Sequence, residues 1–231
     1  MINVLDKISN FFKEIGKSFI IFFLYLMMSV FLSSLFQNVV KNSNFWISNL
    51  SALLVEAIIL FVLFIIYHKK IIDDFKSFKQ DFKSIMNTSL KNWVVGLIIM
   101  IVSNFIISMI VGNIAGNEEA NRNLLVSMPL YAVSAMIFIA PITEEIIFRL
   151  SPRKAFTKKI PYALYSAIFF ASMHILASNT LIELLFAIPY GALGFAFAKT
   201  FYETDNICSS ISIHMIHNSV AVALAYIGIL G

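Results

Sequence analysis

Seven stretches of nearly unbroken apolar residues alternate with short polar connections along this chain. They cover residues 18–36, 46–67, 93–112, a segment opening near Leu124, residues 160–177, 181–198 and 207–230. Each approaches the ~20 residues that cross ~30 Å of hydrocarbon. The apolar positions run continuously, without the two-residue alternation of a barrel strand. The pattern therefore predicts helices, which satisfy their own backbone in lipid. The expected fold is all-α: a polytopic transmembrane helix bundle of about seven spans. Residues 1–123 form an N-terminal three-span region, and residues 124–231 hold the later spans and the polar motifs.

Charge orients these spans. Lys7, Lys13, Lys17, Lys69, Lys70, Lys76, Lys79, Lys83, Lys91, Arg153, Lys154, Lys158, Lys159 and Lys199 fall in one alternate set of connections. Only Lys41 and Arg122 fall in the other. By the positive-inside rule the N-terminus is cytoplasmic and the C-terminus lies outside. The first apolar run is too long for a signal sequence and no small-x-small cleavage site follows, so it is expected to be a retained span. In the longest inner connection, residues 68–91, Phe75, Phe78, Phe82 and Ile85 recur among lysines. That spacing fits an amphipathic helix on the inner leaflet, or equally a solvated linker. Residues 113–123 read as a polar outer loop.

Composition changes the picture little. Of 231 residues, 59% are hydrophobic, against about 45–50% in soluble domains, and the mean hydropathy is +0.85. The net charge of +4 comes from loops beside spans and implies the lipid bilayer, not nucleic acid, as partner. Cys208 is the only cysteine, so no intrachain disulfide and no cysteine cluster for zinc exist.

Against this apolar background four polar residues stand out: Glu144, His174, His214 and Asn218. Ionisable groups in spans are costly and mark functional sites by default. Depth is a first test of whether they meet. Glu144 and His174 are each 15 residues from Lys159 in the basic inner loop. If the fourth helix continues past Arg149 to about Phe156, the two side chains share a height roughly 20 Å from the hairpin tip. His214 and Asn218 then fall about 12–18 Å along the last span from the same side. Pro141 is positioned to kink the fourth helix just before the two glutamates.

Direction is the second test. Phe170 and His174 are four apart and share a face, as do His214 and Asn218. Glu145 and Arg149 form a favourable i,i+4 acid–base pair, which leaves Glu144 pointing about 100° away. Glu144 beside His174 suits general base and acid work on a water. His214 and Asn218 offer donors to an oxyanion. The sum is acyl hydrolysis, most simply of a peptide bond.

Other chemistries fit less well. All five aspartates lie outside the apolar runs, so there is no aspartyl dyad. Neither a Gly-x-Ser-x-Gly elbow nor a His-Glu-x-x-His helix occurs. Zinc held by Glu144, His174 and His214 is the alternative to no cofactor, although Asn218 is a poor fourth ligand. The bland reading is a polar seal that only fixes helix register. His217 reads as a satisfied core histidine. Glu56 reads as paired to a neighbouring helix. Glu183 is near enough to a span end to reach water. Tyr25, Trp46, Tyr67 and Trp93 read as interface anchors. Pro189, Gly191 and Gly194 allow close packing or a bend.

Taken together, Glu144-Glu145-x-x-x-Arg149, Phe170-x-x-x-His174 and His214-x-x-x-Asn218 resemble the signature of the CAAX-protease and bacteriocin-processing family of intramembrane glutamic endopeptidases. The resemblance covers about residues 124–225. It implies a water activated by Glu144 with His174 and an oxyanion hole from His214 and Asn218. Supporting roles for Glu145, Arg149 and Phe170, no essential metal and a cavity opening to the cytoplasm are also implied. Leu150 departs from it, since many members carry glycine after the arginine, and this bears on local helix packing. A peptide or protein substrate would enter from the membrane or the cytoplasmic side. Eukaryotic relatives cleave prenylated C-terminal tripeptides. A bacterial plasma-membrane member would instead process a leader peptide, bacteriocin or pheromone, or serve self-immunity. The rival from another class is a non-enzymatic membrane scaffold or immunity protein that binds a partner at the polar cluster.

Overall fold

The computed structural model describes residues 4–176, 178 and 180–230. Residues 1–3 and 231, the outer limits of the two expected regions, and Ala177, the expected end of the fifth span, lie outside them. Among the described residues there are eight helices and no strand. They are α1 (Val4–Asn42), α2 (Phe45–Gln80), α3 (Phe82–Val111), α4 (Gly116–Ser127), α5 (Pro129–Ala155), α6 (Lys159–His174), α7 (Ala187–Thr204) and α8 (Ile207–Leu230). A 3-10 turn, Ile182–Phe186, leads into α7. The chain is a multi-pass membrane protein with six described helices long and apolar enough to cross a bilayer: α1, α2, α3, α5, α7 with its leading turn, and α8.

Seven spans were expected, and the difference is α6. It has 16 residues, about 24 Å at 1.5 Å per residue, short of ~30 Å of hydrocarbon. The helix ends at His174, whose ring bonds back to the Phe170 carbonyl in the last turn. Two further boundaries differ. The outer loop folds as α4, with Arg122 Nε donating to Glu118 one turn earlier at 2.9 Å. Pro129 then forces Met128 out of helical geometry (φ −139°, ψ 62°), so α5 starts there and not near Leu124. The expected surface helix over residues 68–91 does not exist as a separate element. α2 runs 36 residues, about 54 Å, and only Asp81 separates it from α3.

One end of the bundle collects the basic connections. Lys70 Nζ donates to the Asp205 carbonyl at 2.8 Å, and Lys159 meets Glu203 at 2.8 Å. Asn92 on α3 donates to the same Glu203 at 2.9 Å. α6 and α7 therefore run antiparallel from this end, and they pack extensively along each other, as do α3 and α7. Glycines permit both approaches: a Cβ on Gly96 would meet Ala196 Cβ at 2.6 Å, and one on Gly194 would meet Ala167 Cα at 3.1 Å. Gly191 has no such crowding. The best-buried core joins Ile146, Ile147, Tyr162, Phe201 and Ile207 with Ile59 and Leu63 of α2. α1 and α3 instead present exposed side chains such as Phe23 and Met109, as lipid-facing helices do.

Asp74 has an importance that its place among lysines hides. It is 4% exposed, and its Oδ2 accepts the Ile207 N–H at 2.8 Å. Lys70 pairs with the other oxygen at 2.9 Å. Asn206 Nδ2 donates to the Asp74 carbonyl, and Asn206 Oδ1 accepts the Cys208 N–H at 3.0 Å. The first turn of α8 is thus capped both by the residue just before it, Asn206, and by Asp74 of α2. Asp205, at φ 46°, makes the tight turn into it. Asp74→Ala is expected to cost about 1–2 kcal/mol, as for loss of a helix cap. Asp74→Asn, which keeps an acceptor, should cost less. Denaturant melts in detergent distinguish the two, and equal wild-type stability for both would remove the cap from this account.

Candidate active site

Two turns of α5 abandon regular helix geometry, and they flank the glutamate pair. Ala135–Ile139 and Ile146–Leu150 are π-helical, with the Ala140 N–H bonded to Ala135 O and the Ser151 N–H to Ile146 O. Pro141 lies in the short α-helical stretch between them, Ala140–Glu145, and it has no N–H to offer the ladder. The kink expected at Pro141 therefore takes the form of two widened turns, a feature concentrated at functional sites. α5 nevertheless reaches Ala155, so the long hairpin arm that the depth argument requires is present.

Glu145 and Arg149 are both fully buried, at 0% side-chain exposure, and Nη1 lies 3.2 Å from Oε1. The guanidinium sits 4.4 Å from the Phe170 ring centre, with Phe197 and Phe148 further out. Nη2 reaches the Gly194 carbonyl at 3.5 Å. Gly194, whose missing side chain lets α7 pack closely on α6, supplies that acceptor. The same Glu145 oxygen lies 2.9 Å from His214 Nδ1. A carboxylate only accepts, so Nδ1 carries the hydrogen. The opposite nitrogen, Nε2, is 3.8 Å from Glu144 Oε2. The histidine is therefore strung between two consecutive carboxylates, with its ring stacked 4.6 Å from Phe197.

Glu144 itself is 23% exposed, and it opens into a cavity of ≈ 210 Å³ that His174, His214, His217 and Asn218 also line. His174 Nδ1 is 2.8 Å from the Phe170 carbonyl. That bond holds the hydrogen on Nδ1 and leaves Nε2 as an acceptor. Its ring is packed between Phe170, at 4.1 Å, and Tyr190, at 4.6 Å. Asn218 Nδ2 donates to the Met136 carbonyl inside the first π turn at 2.8 Å, and its second hydrogen remains. Phe170 touches His174, Arg149 and, edge-on, His214. All seven residues singled out in the sequence therefore lie in one connected region, contributed by α5, α6 and α8.

Three features were missed. Tyr190 backs His174 and accepts from Asn117 of α4 at 3.4 Å; nothing in its local sequence marks it. His217, expected in the core, lines the cavity and accepts from Trp93 Nε1 at 3.4 Å. Trp93 thus faces the bundle and is not simply an interface anchor. The third is α4, whose Glu118 and Arg122 line the cavity while 40% and 42% exposed. Both side chains are partly open, so the cavity has a mouth at the α4 end, opposite the basic connections. The resemblance implies a cavity opening to the cytoplasm; in the structure the α4 residues that border it lie at the end away from the basic connections. Elsewhere, Glu56 pairs with Tyr131 of α5 at 3.4 Å, as expected of an interhelical contact. Glu183, expected to reach water, is buried and accepts from Thr180 Oγ1 at 3.0 Å.

Among the described residues, no three His, Cys, Asp or Glu side chains converge as a metal-ligand group. Each histidine commits only Nδ1, His214 to Glu145 and His174 to a backbone carbonyl, which leaves Nε2 as the uncommitted nitrogen of both rings.

Residues 126–220 match the family described as type II CAAX prenyl endopeptidase Rce1-like. No curated protein and no solved structure matches the chain.

Proposed function

From the premise that residues 126–220 are a domain of the Rce1-like type II CAAX prenyl endopeptidase family, a family of proteases, we propose that this membrane protein cleaves peptide bonds with water activated by Glu144. The observation that carries the proposal is a division of labour between neighbours. Glu145 is sealed against Arg149 and His214, whereas Glu144 opens into the cavity shared with His174 and Asn218.

A water between Glu144 and His174 Nε2 loses a proton to the carboxylate as its oxygen attacks the peptide carbonyl. The oxyanion forms beside two donors. Asn218 offers its second amide hydrogen. His214 offers Nε2–H when its ring is an imidazolium, the form in which both nitrogens donate. Glu145 accepts from Nδ1 and, with Arg149 behind it, holds the ring in that orientation. Each oxyanion donor is worth about 10²–10³ in rate. Collapse of the tetrahedral intermediate breaks the C–N bond, and the proton held by Glu144 passes to the leaving amine. No nucleophilic side chain and no metal ion is needed. A strong chelator is accordingly expected to leave the rate unchanged, and loss of activity restored by added zinc would overturn that expectation.

The cavity is smaller than the roughly 300–1,000 Å³ of typical small-molecule clefts, so a short extended segment with few side chains fits it. Its mouth at the α4 end suits peptides outside the cytoplasm if the basic end faces in. A leader peptide, bacteriocin or pheromone, in processing or self-immunity, meets both conditions.

The test compares cells carrying the wild type with cells carrying Glu144→Gln at matched membrane abundance, using mass spectrometry of small peptides in the medium. A peptide that changes mass only when Glu144 is present supports the proposal and identifies a substrate. If the two strains agree while removing the whole chain has an effect, the protein works as a binding scaffold or immunity protein and the proposal fails.

A further inference from the structure

A second cavity, ≈ 640 Å³, lies at the basic end of the bundle, away from Glu144. Lys17, Lys70, Arg153 and Lys154 line it together with the carboxylates of Glu14 and Asp205. The acids are already taken: Lys17 holds Glu14 at 2.6 Å, and Lys70 lies between Asp74 and Asp205. Arg153 and Lys154 are left with no carboxylate at ion-pair distance among the described residues. The Arg153 guanidinium lies 4.2 Å from the Tyr202 ring centre, and one nitrogen donates to the Phe156 carbonyl. Its Nε is buried and has no hydrogen-bond partner among the described residues.

The rest of the wall is apolar, formed by Ile20, Ile21, Ile66, Leu150 and Phe201. Ile20 and Ile66 are 67% and 43% exposed on the outside of the bundle. The apolar wall is therefore continuous with the lipid-facing surface, while the unpaired cations stand at its polar edge. A free inorganic anion would use only that edge, and an acidic peptide would leave the apolar wall uncovered.

We infer that this cavity binds one anionic phospholipid, its phosphate held by Arg153 and Lys154 and an acyl chain laid along Ile20, Ile21 and Ile66. Basic pockets between spans hold lipid head groups in this way. The site is independent of the proteolytic reading. Its lining does include Leu150 and Ser151, the residues that close the π turn bearing Arg149, so an occupied cavity should hold that turn more firmly.

Native mass spectrometry of the full chain, titrated with phosphatidylglycerol or phosphatidylcholine in detergent, reads the binding directly. One phosphatidylglycerol is expected to stay bound where phosphatidylcholine does not, and to raise the melting temperature. Arg153→Gln with Lys154→Gln should weaken it about five-fold for each charge removed. Lys154 is exposed and makes no hydrogen bond or close ion pair among the described residues, so Lys154→Gln alone provides a folded variant if the double one misfolds. Equal retention of the two lipids, or undiminished binding by folded Lys154→Gln, would overturn the inference. Stabilisation by inorganic phosphate to the same extent would show an anion site with no use for the acyl chain, and would also overturn it.

Discussion

Purified Glu144→Gln protein is expected to cleave a peptide substrate about 10²–10⁴-fold more slowly than the wild type, the range for loss of a general base. It should melt at the wild-type temperature. The glutamine keeps the shape of the side chain and removes only the charge that accepts a proton. The contact at stake for folding is weak, because Glu144 is partly exposed and stands 3.8 Å from His214 Nε2. The predicted signature is thus a rate lost without stability. Undiminished turnover would place the base elsewhere. A large fall in melting temperature would instead show that Glu144 is part of the structural pair and not free of it.

Arg149→Leu is expected to give the opposite signature, a loss of about 3–5 kcal/mol in stability, because one charge of a fully buried pair is left without its partner. Glu145 would then face a hydrocarbon side chain, with His214 and Ser210 as its remaining polar neighbours. The aromatic rings around the guanidinium would lose their cation as well. Arg149→Leu with Glu145→Leu should recover much of the stability, since an apolar pair of similar volume often replaces a buried ion pair without cost. That double variant should remain inactive, because His214 loses the acceptor that orients it. Unfolding in detergent by denaturant measures the stability changes. A single variant as stable as the wild type would mean that water, not Arg149, neutralises Glu145.

How far the sequence could be read follows from the range of each interaction. The Glu145–Arg149 pair was legible because four residues along one helix is a fixed distance, and the structure keeps them at 3.2 Å even across a widened turn. The apolar runs were legible because lipid demands long continuous helices wherever they occur. The polar residues drew notice because a charge in such a run is expensive. Asp74 escaped notice for the converse reason: among lysines an aspartate looks solvated, and only the arrival of Ile207, 133 residues later, turns it into a buried cap.

The sequence by itself determined the all-helical membrane architecture and the set of polar residues worth watching, because both rest on local spacing and on the cost of polarity in hydrocarbon. Tertiary structure alone decided how those residues are shared out. His214 belongs to Glu145 through Nδ1 and faces Glu144 through Nε2 because α8 crosses α5 at one height and one rotation. Tyr190 backs His174, α4 borders the cavity mouth, and α6 stops short of a full span for the same kind of reason. Those outcomes depend on how helices distant in sequence pack and turn against one another, which no local pattern of hydrophobic and polar positions encodes.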